Sequence, residues 1–221
     1  GIDVLVNNAG ITIVGDLEIP MKRFDLVMQV NLRGPMLATR AAVPHMRKAG
    51  RGHIINVSSL AALLPVAGTM AYGMSKIALE HFTVHAAREL QEDGIQVNAF
   101  RIDLPVASEG FVANTPGRER EHWEPCEVAA EGVLWMLAQP TSYSGRRESM
   151  LEMRQREGIM ASRASHPFDG RGEPWHPDPP IVELYNGLAP VHSTTFREPP
   201  RISRSGAAGP PDRDEGALRG E

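Results

Sequence analysis

Short apolar runs alternate with longer stretches of helical spacing through the first 160 or so residues. Val4-Leu5-Val6 is an apolar run closed by Asn7-Asn8-Ala9-Gly10, the pattern of a buried strand entering a turn. Pro20 suits the first position of a helix, with Phe24, Val27 and Met28 following at helical spacing. Gly34-Pro35 predicts a kink, after which the helix resumes through Ala41, Ala42 and Met46 to a capping Gly50. Ile54-Ile55-Asn56-Val57 reads as the second strand, Met70 to Leu90 as a long helix closed by Asp93-Gly94, and Ile95 to Phe100 as the third strand. Pro125 to Leu137 reads as a helix with Val128, Val133, Leu134 and Leu137 as its buried stripe, and Arg146 to Met150 as a short last strand.

Strand–helix–strand repetition with long crossovers predicts an α/β fold: a doubly wound, Rossmann-like parallel sheet covered by helices on both faces. Ligands of such sheets sit at the carboxyl ends of the strands. The pattern stops near Arg163. Ten of the 18 prolines and seven of the 21 glycines lie in residues 163–221, too many turn formers for helix or central strand. The reading is therefore residues 1–162 as the folded portion and 163–221 as a mostly disordered tail, with one docked segment at Ile181-Val182-Glu183-Leu184-Tyr185.

Composition narrows the function classes. A net charge of −4 and a pI near 6.1 give no basic field for a nucleic acid or an anionic membrane. No apolar run approaches the roughly 18 residues a spanning helix needs, so no membrane partner is expected. The one cysteine, Cys126, allows no internal disulfide, points to a reducing, cytoplasmic setting, and reads as a packed thiol beside Pro125. His81 and His85 have the spacing of helical zinc ligands, but no Glu follows His81 and no third ligand is evident. They read as an exposed or subunit-contact face, and no metal is expected. Asn56-Val57-Ser58 matches a glycosylation sequon inside a strand and reads as idle.

The polar residues at the strand ends carry the chemistry. Asn7-Asn8-Ala9-Gly10 follows the first strand, Asn31 sits by the kink, Ser58-Ser59 follows the second strand, and Tyr72 and Lys76 stand one helical turn apart. Singly, each has an ordinary reading: a helix-kink amide, a turn or capping Ser, an amphipathic Tyr. As a set they resemble the short-chain dehydrogenase/reductase family of the classical type, over roughly residues 1–150. The resemblance implies Asn31, Ser59, Tyr72 and Lys76 as catalytic residues. Tyr72 would be the acid/base at the substrate oxygen, Ser59 would hold that oxygen, and Asn31 would fix a water linking Lys76 to solvent. It also implies that Asn8, Ala9, Gly10, Tyr72, Lys76 and Val106 contact NAD or NADP. The family's Pro-Gly turn is replaced at Arg101-Ile102-Asp103-Leu104, where a shifted Val106-x-Ser108 would supply the carboxamide contacts. An ammonium about 5 Å from a phenolate, at an effective dielectric of about 20, contributes about 3 kcal/mol. That is about 2 pK units, so the Tyr72 phenol is expected at about 7–8 instead of about 10.

The family's glycine-rich phosphate loop, T-G-x-x-x-G-x-G, has no counterpart here; Gly50-Arg51-Gly52 precedes a strand instead of following one. Residue 1 is Gly, which fits a chain missing its N-terminal cofactor-binding part and leaving Val4–Val6 an unpaired edge. The expectation is an oxidoreductase moving a hydride between NAD(P) and a secondary alcohol or ketone, a homodimer or homotetramer when complete, with this portion alone binding cofactor weakly. The alternative is a non-catalytic remnant kept as a binding or dimerisation module.

Overall fold

The computed structural model describes residues 1–166, so the expected docked segment at 181–185 lies outside the described residues. The elements run β1 (Val4–Asn7), α1 (Met21–Met28), a π-helical turn (Gln29–Arg33), α2 (Gly34–Ala49), β2 (Gly52–Ser59), α3 (Met70–Leu90), β3 (Ile95–Ile102), α4 (Glu109–Asn114), α5 (Cys126–Leu137), β4 (Arg147–Ser149) and α6 (Met150–Glu157). The strands form one parallel sheet in the order β1-β2-β3-β4. Helices cover both faces, as a doubly wound Rossmann-like fold requires.

Period-two alternation explains the two cores. Ile54 and Val97, partners across the β2–β3 ladder, face α2 and α3 together with Ile95 and pack with Val43, Met46, Ala86 and Leu90. Ile55 and Phe100 point the opposite way, onto Val128 and Met136 of α5 and Met150 and Met153 of α6. On the α3 side the strands also carry polar side chains. Asn7 donates to Asn56 at 2.8 Å, and Asn56 donates to Thr83 of α3 at 2.9 Å. The sequon asparagine is thus sealed inside the sheet–helix contact. β1 lies at the sheet edge among the described residues, with Val4 and Val6 exposed.

Four details differ from the sequence reading. The kink expected at Gly34-Pro35 is a π-helical turn just before it, centred on Asn31, and α2 starts cleanly at Gly34. Pro35 has no N–H for the carbonyl four residues back, that of Asn31, so regular α-pairing fails there and not at the proline itself. In α5 the buried stripe is Val128, Gly132 and Met136, with Val133 and Leu137 partly buried against it, while Leu134 is 66% exposed. Two residues beyond Gly132 is about 200° round the helix, which turns Leu134 to the far side. Cys126 is exposed, not packed, because it opens α5 at the surface. Arg146 to Met150 supplies only the three-residue β4, and Met150 already begins α6, capped by the Ser149 hydroxyl. The segment Arg163 to His166 is seated on the fold: the Arg163 N–H donates to Glu124 and the His166 N–H to the Glu121 carbonyl. Among the described residues no helix is long and apolar enough to cross a membrane.

Candidate active site

Three segments meet at the carboxyl ends of β1 and β2. The first is the loop after β1, where Asn8, Ala9 and Gly10 are exposed. The second is the turn after β2, where Ser59 leaves the strand extended and its hydroxyl accepts from the Ala61 N–H at 3.3 Å, starting a short 3-10 turn over Leu60–Ala62. The third is the first two turns of α3, which carry Tyr72, Ser75 and Lys76.

Gly73 holds the second and third together. A Cβ on Gly73 would stand 2.7 Å from the Ala61 carbonyl oxygen, so only glycine lets the turn after Ser59 lie against α3. That contact sets the Ser59 hydroxyl close enough to the Tyr72 phenol to favour its ionised form. Sequence reading passed over Gly73; its place beside Tyr72 was the available signal.

Asn31 ties the first segment to the third. Its Oδ1 accepts from the Ile11 N–H at 2.8 Å, and its Nδ2 donates to the Ile11 carbonyl at 2.9 Å and to Ser75 Oγ at 3.0 Å. Ser75 in turn donates to the Tyr72 carbonyl at 2.6 Å. Both amide hydrogens of Asn31 are spent, so its side chain acts as a clamp between the loop after β1 and α3. Lys76 is buried and donates to the Val57 carbonyl at 2.8 Å, with its nitrogen 5.5 Å from the Tyr72 ring centre. A Cβ on Gly10 would stand 3.4 Å from Lys76 Nζ and 3.5 Å from Asn31 Oδ1, so the β1 loop runs directly across both.

The electrostatics correct the expected phenol. Burial pushes Tyr72 above its ordinary value, and the nearby Ser59 hydroxyl offsets this only in part. Burial also destabilises the Lys76 charge and pushes that amine down to about 8. Desolvation disfavours both ionised partners here, and the phenol is held protonated at neutral pH.

The residues predicted for the site divide by place. Gly10, Asn31, Ser59, Tyr72 and Lys76 come together, and Asn8 and Ala9 lie open on the adjoining loop. Val106 does not join them by its side chain, which is buried in the core with Leu104 and Val128. Ser108 uses its hydroxyl to cap α4, accepting from Phe111. Asp103, standing where the resembled family has its Pro-Gly turn, accepts from the Leu151 N–H at the start of α6.

Beneath the site is a charge pair that sequence reading missed. Glu80, one turn beyond Lys76, accepts from Ser58 at 2.7 Å and twice from Arg101, at 2.9 and 2.7 Å. Ser58 and Arg101 are ladder partners on adjacent strands, so one carboxylate joins β2, β3 and α3 behind Ser59. The available signal was polarity on the buried stripe of α3, where Ser75, Glu80 and Thr83 share a face with Leu79 and Ala86.

Residues 1–104 match the model of the short chain dehydrogenase family. The 2-(R)-hydroxypropyl-CoM dehydrogenase of Xanthobacter autotrophicus is 35% identical over 158 residues, covering 64% of this chain and 62% of that protein. The 3-alpha-(or 20-beta)-hydroxysteroid dehydrogenase of Mycobacterium tuberculosis is 34% identical over 175 residues, covering 76% of this chain and 64% of that one. The crystal structure of a gluconate 5-dehydrogenase from Burkholderia cenocepacia, in complex with NADP and tartrate, superposes with a TM-score of 0.61 at 26% identity, over 67% of this chain and 63% of that one. The chain therefore spans a little under two thirds of the length of each of these relatives.

Proposed function

The chain belongs to the short-chain dehydrogenase/reductase family, and from that premise we propose that it carries the proton-transfer half of an NAD- or NADP-dependent carbonyl–alcohol oxidoreductase. The observation that supports this most is the Ser59 hydroxyl beside the Tyr72 phenol, with the buried Lys76 ammonium 5.5 Å from the Tyr72 ring. In ketone reduction, Ser59 donates to the carbonyl oxygen and Tyr72 delivers the proton to it as negative charge develops. A phenol kept protonated by burial is poised for that direction. Alcohol oxidation runs the same path backwards, and Lys76 then has to stabilise the phenolate.

The donor set fits the nicotinamide end of a dinucleotide. Lys76 is a buried cation with three N–H donors and one hydrogen bond, to Val57. Tyr72 stands beside it, and the exposed Asn8-Ala9-Gly10 loop has no bulky side chain to obstruct a flat ligand. When bound, the nicotinamide gives or takes the hydride. The phosphate end finds no glycine-rich strand–turn–helix in this sequence, so the chain by itself binds NAD(P) more weakly than micromolar. Exposed Met36 and Leu37 of α2 and Met74 and Ile77 of α3 support pairing with a second copy.

The test is turnover by the full translation product of the gene, with NAD(H) and NADP(H) and a panel of secondary alcohols and ketones. Tyr72→Phe is expected to lower kcat by at least about 100-fold, with cofactor affinity measured by fluorescence titration close to unchanged. Undiminished turnover in that variant overturns the assignment of the proton donor. Calorimetry of the 221-residue chain with each cofactor checks the second claim; micromolar binding rejects it.

A further inference from the structure

The last three residues of β2 have a strand partner on one side only. β1 ends at Asn7, opposite Asn56, so among the described residues Val57, Ser58 and Ser59 pair with β3 alone, opposite Phe100, Arg101 and Ile102. Two side chains of α3, one turn apart, tie this strand end to the helix. Lys76 Nζ donates to the Val57 carbonyl at 2.8 Å, and Glu80 Oε1 accepts from the Ser58 hydroxyl at 2.7 Å. Arg101 donates to both carboxylate oxygens of Glu80, which fixes the orientation of that acceptor, and all three side chains are buried. Ser59 follows directly, still extended at φ −148° and ψ 157°. Successive side chains of an extended strand leave it on opposite faces, so anchoring Ser58 to α3 also fixes the direction in which Ser59 leaves.

We propose that Ser58 and Glu80 are positioning residues for the proton-transfer site: Glu80, locked by Arg101, holds the end of β2 against α3 through Ser58 and thereby sets the Ser59 hydroxyl beside the Tyr72 phenol. Their role rests on the proton-transfer reading of Ser59 and Tyr72, and both act from beneath the site, sealed from solvent. A displacement of about 1 Å at a reacting group costs up to about 100-fold in rate, so a tether one residue away from Ser59 is felt in the chemistry. The same sheet–helix contact carries a second link for comparison. Asn56 donates to Thr83 at 2.9 Å, where β1 still pairs with β2, and Thr83 lies three residues farther along α3 than Glu80. That link holds the helix on the sheet without reaching the strand end at Ser59.

The test uses Ser58→Ala in the full translation product of the gene. This variant leaves both Glu80 oxygens paired with Arg101, so no buried charge is orphaned and the fold is kept. It is expected to lower kcat about 10-fold or more, with substrate KM little changed. Ser58→Thr, which keeps the hydroxyl, recovers the parental rate. Thr83→Ala lowers the urea midpoint at least as much as Ser58→Ala but keeps parental kcat. Ser58→Ala combined with Ser59→Ala is no slower than Ser59→Ala alone, because one residue acts through the other. A second readout needs no turnover: the titration of Tyr72 by tyrosinate absorbance, taken as the difference from the same protein carrying Tyr72→Phe. Ser58→Ala moves that midpoint upward, and Ser59→Ala absorbs the shift. This titration decides the positioning role even where Tyr72→Phe keeps its activity and the proton-transfer reading falls. An unmoved midpoint, a loss of kcat that Ser58→Thr does not recover, effects that add to those of Ser59→Ala, or an equal loss of kcat in Thr83→Ala overturns the proposal.

Discussion

Arg101 donates through Nε and Nη2 to the two carboxylate oxygens of Glu80, at 2.9 and 2.7 Å, where the two side chains are 2% and 0% exposed. A sealed, two-point ion pair of this kind contributes little net stability over an apolar pair of the same volume, because both charges were desolvated to make it. Removing one partner is different. Glu80→Ala leaves the Arg101 charge and the Ser58 hydroxyl without their shared acceptor, at an expected cost of about 3–5 kcal/mol. Glu80→Leu combined with Arg101→Met is expected to be more stable than Glu80→Ala alone. Urea denaturation of the single and double variants measures both, and simple additivity would remove the pair from this role.

Lys76 makes stability depend on pH in a stated direction. Its pKa in the fold is about 8, below the ordinary value of 10.5. Between those values the unfolded chain binds more protons than the folded one, so stability rises with pH across that window. The penalty is present in full below about pH 8. Tyr72 and Tyr143, both held above the ordinary value of 10.0 largely by burial, act oppositely, and their contribution is lost as pH rises past 10. Urea midpoints at pH 7, 8, 9 and 10 are expected to climb more steeply for the parent than for Lys76→Met. Parallel profiles would mean that the Lys76 charge carries no burial penalty.

Asn31 pins two segments that are distant in sequence. Asn31→Ala leaves the Ile11 N–H and carbonyl without their side-chain partners, and the expected cost is about 1–3 kcal/mol per unsatisfied group. Asn31→Asp keeps the acceptor for the Ile11 N–H but loses the donor to the Ile11 carbonyl and to Ser75, so it should not restore the parent. Amide hydrogen exchange at Ile11 reads the effect directly; protection equal to the parent in Asn31→Ala would show that the clamp is not what orders this loop.

Gly73→Ala tests how the site is assembled. Its methyl group would be driven into the Ala61 carbonyl, 2.7 Å from the new carbon, and crowding of this sort costs about 1–3 kcal/mol. The backbone can yield only by moving the turn after Ser59 off α3, which separates Ser59 from Tyr72. Turnover is therefore expected to fall more than global stability predicts, with cofactor affinity less affected. A variant with parental kcat would uncouple this close approach from the chemistry.

The sequence by itself determined β1, α1, α2, β2, α3, β3 and α5 and their order, because those strands and helices follow from local periodicity, while α4 and α6 went unread. It also determined that Tyr72 and Lys76 share a helix face, that Asn31 lies by a break in its helix and that Ser59 ends a strand, since backbone geometry fixes those relations whatever surrounds them. Only the tertiary structure decided what depends on segments far apart in the chain. Leu134 is exposed because Gly132, and not a larger residue, is what the helix presents to Phe100. Asn31 is a clamp because Ile11 and Ser75 come to it from both sides. Glu80 finds Arg101 only after β2 and β3 pair in register. The Tyr72 phenol is raised, against the sign that the spacing to Lys76 alone suggests, because desolvation depends on everything packed around a group and is written in no single stretch of sequence.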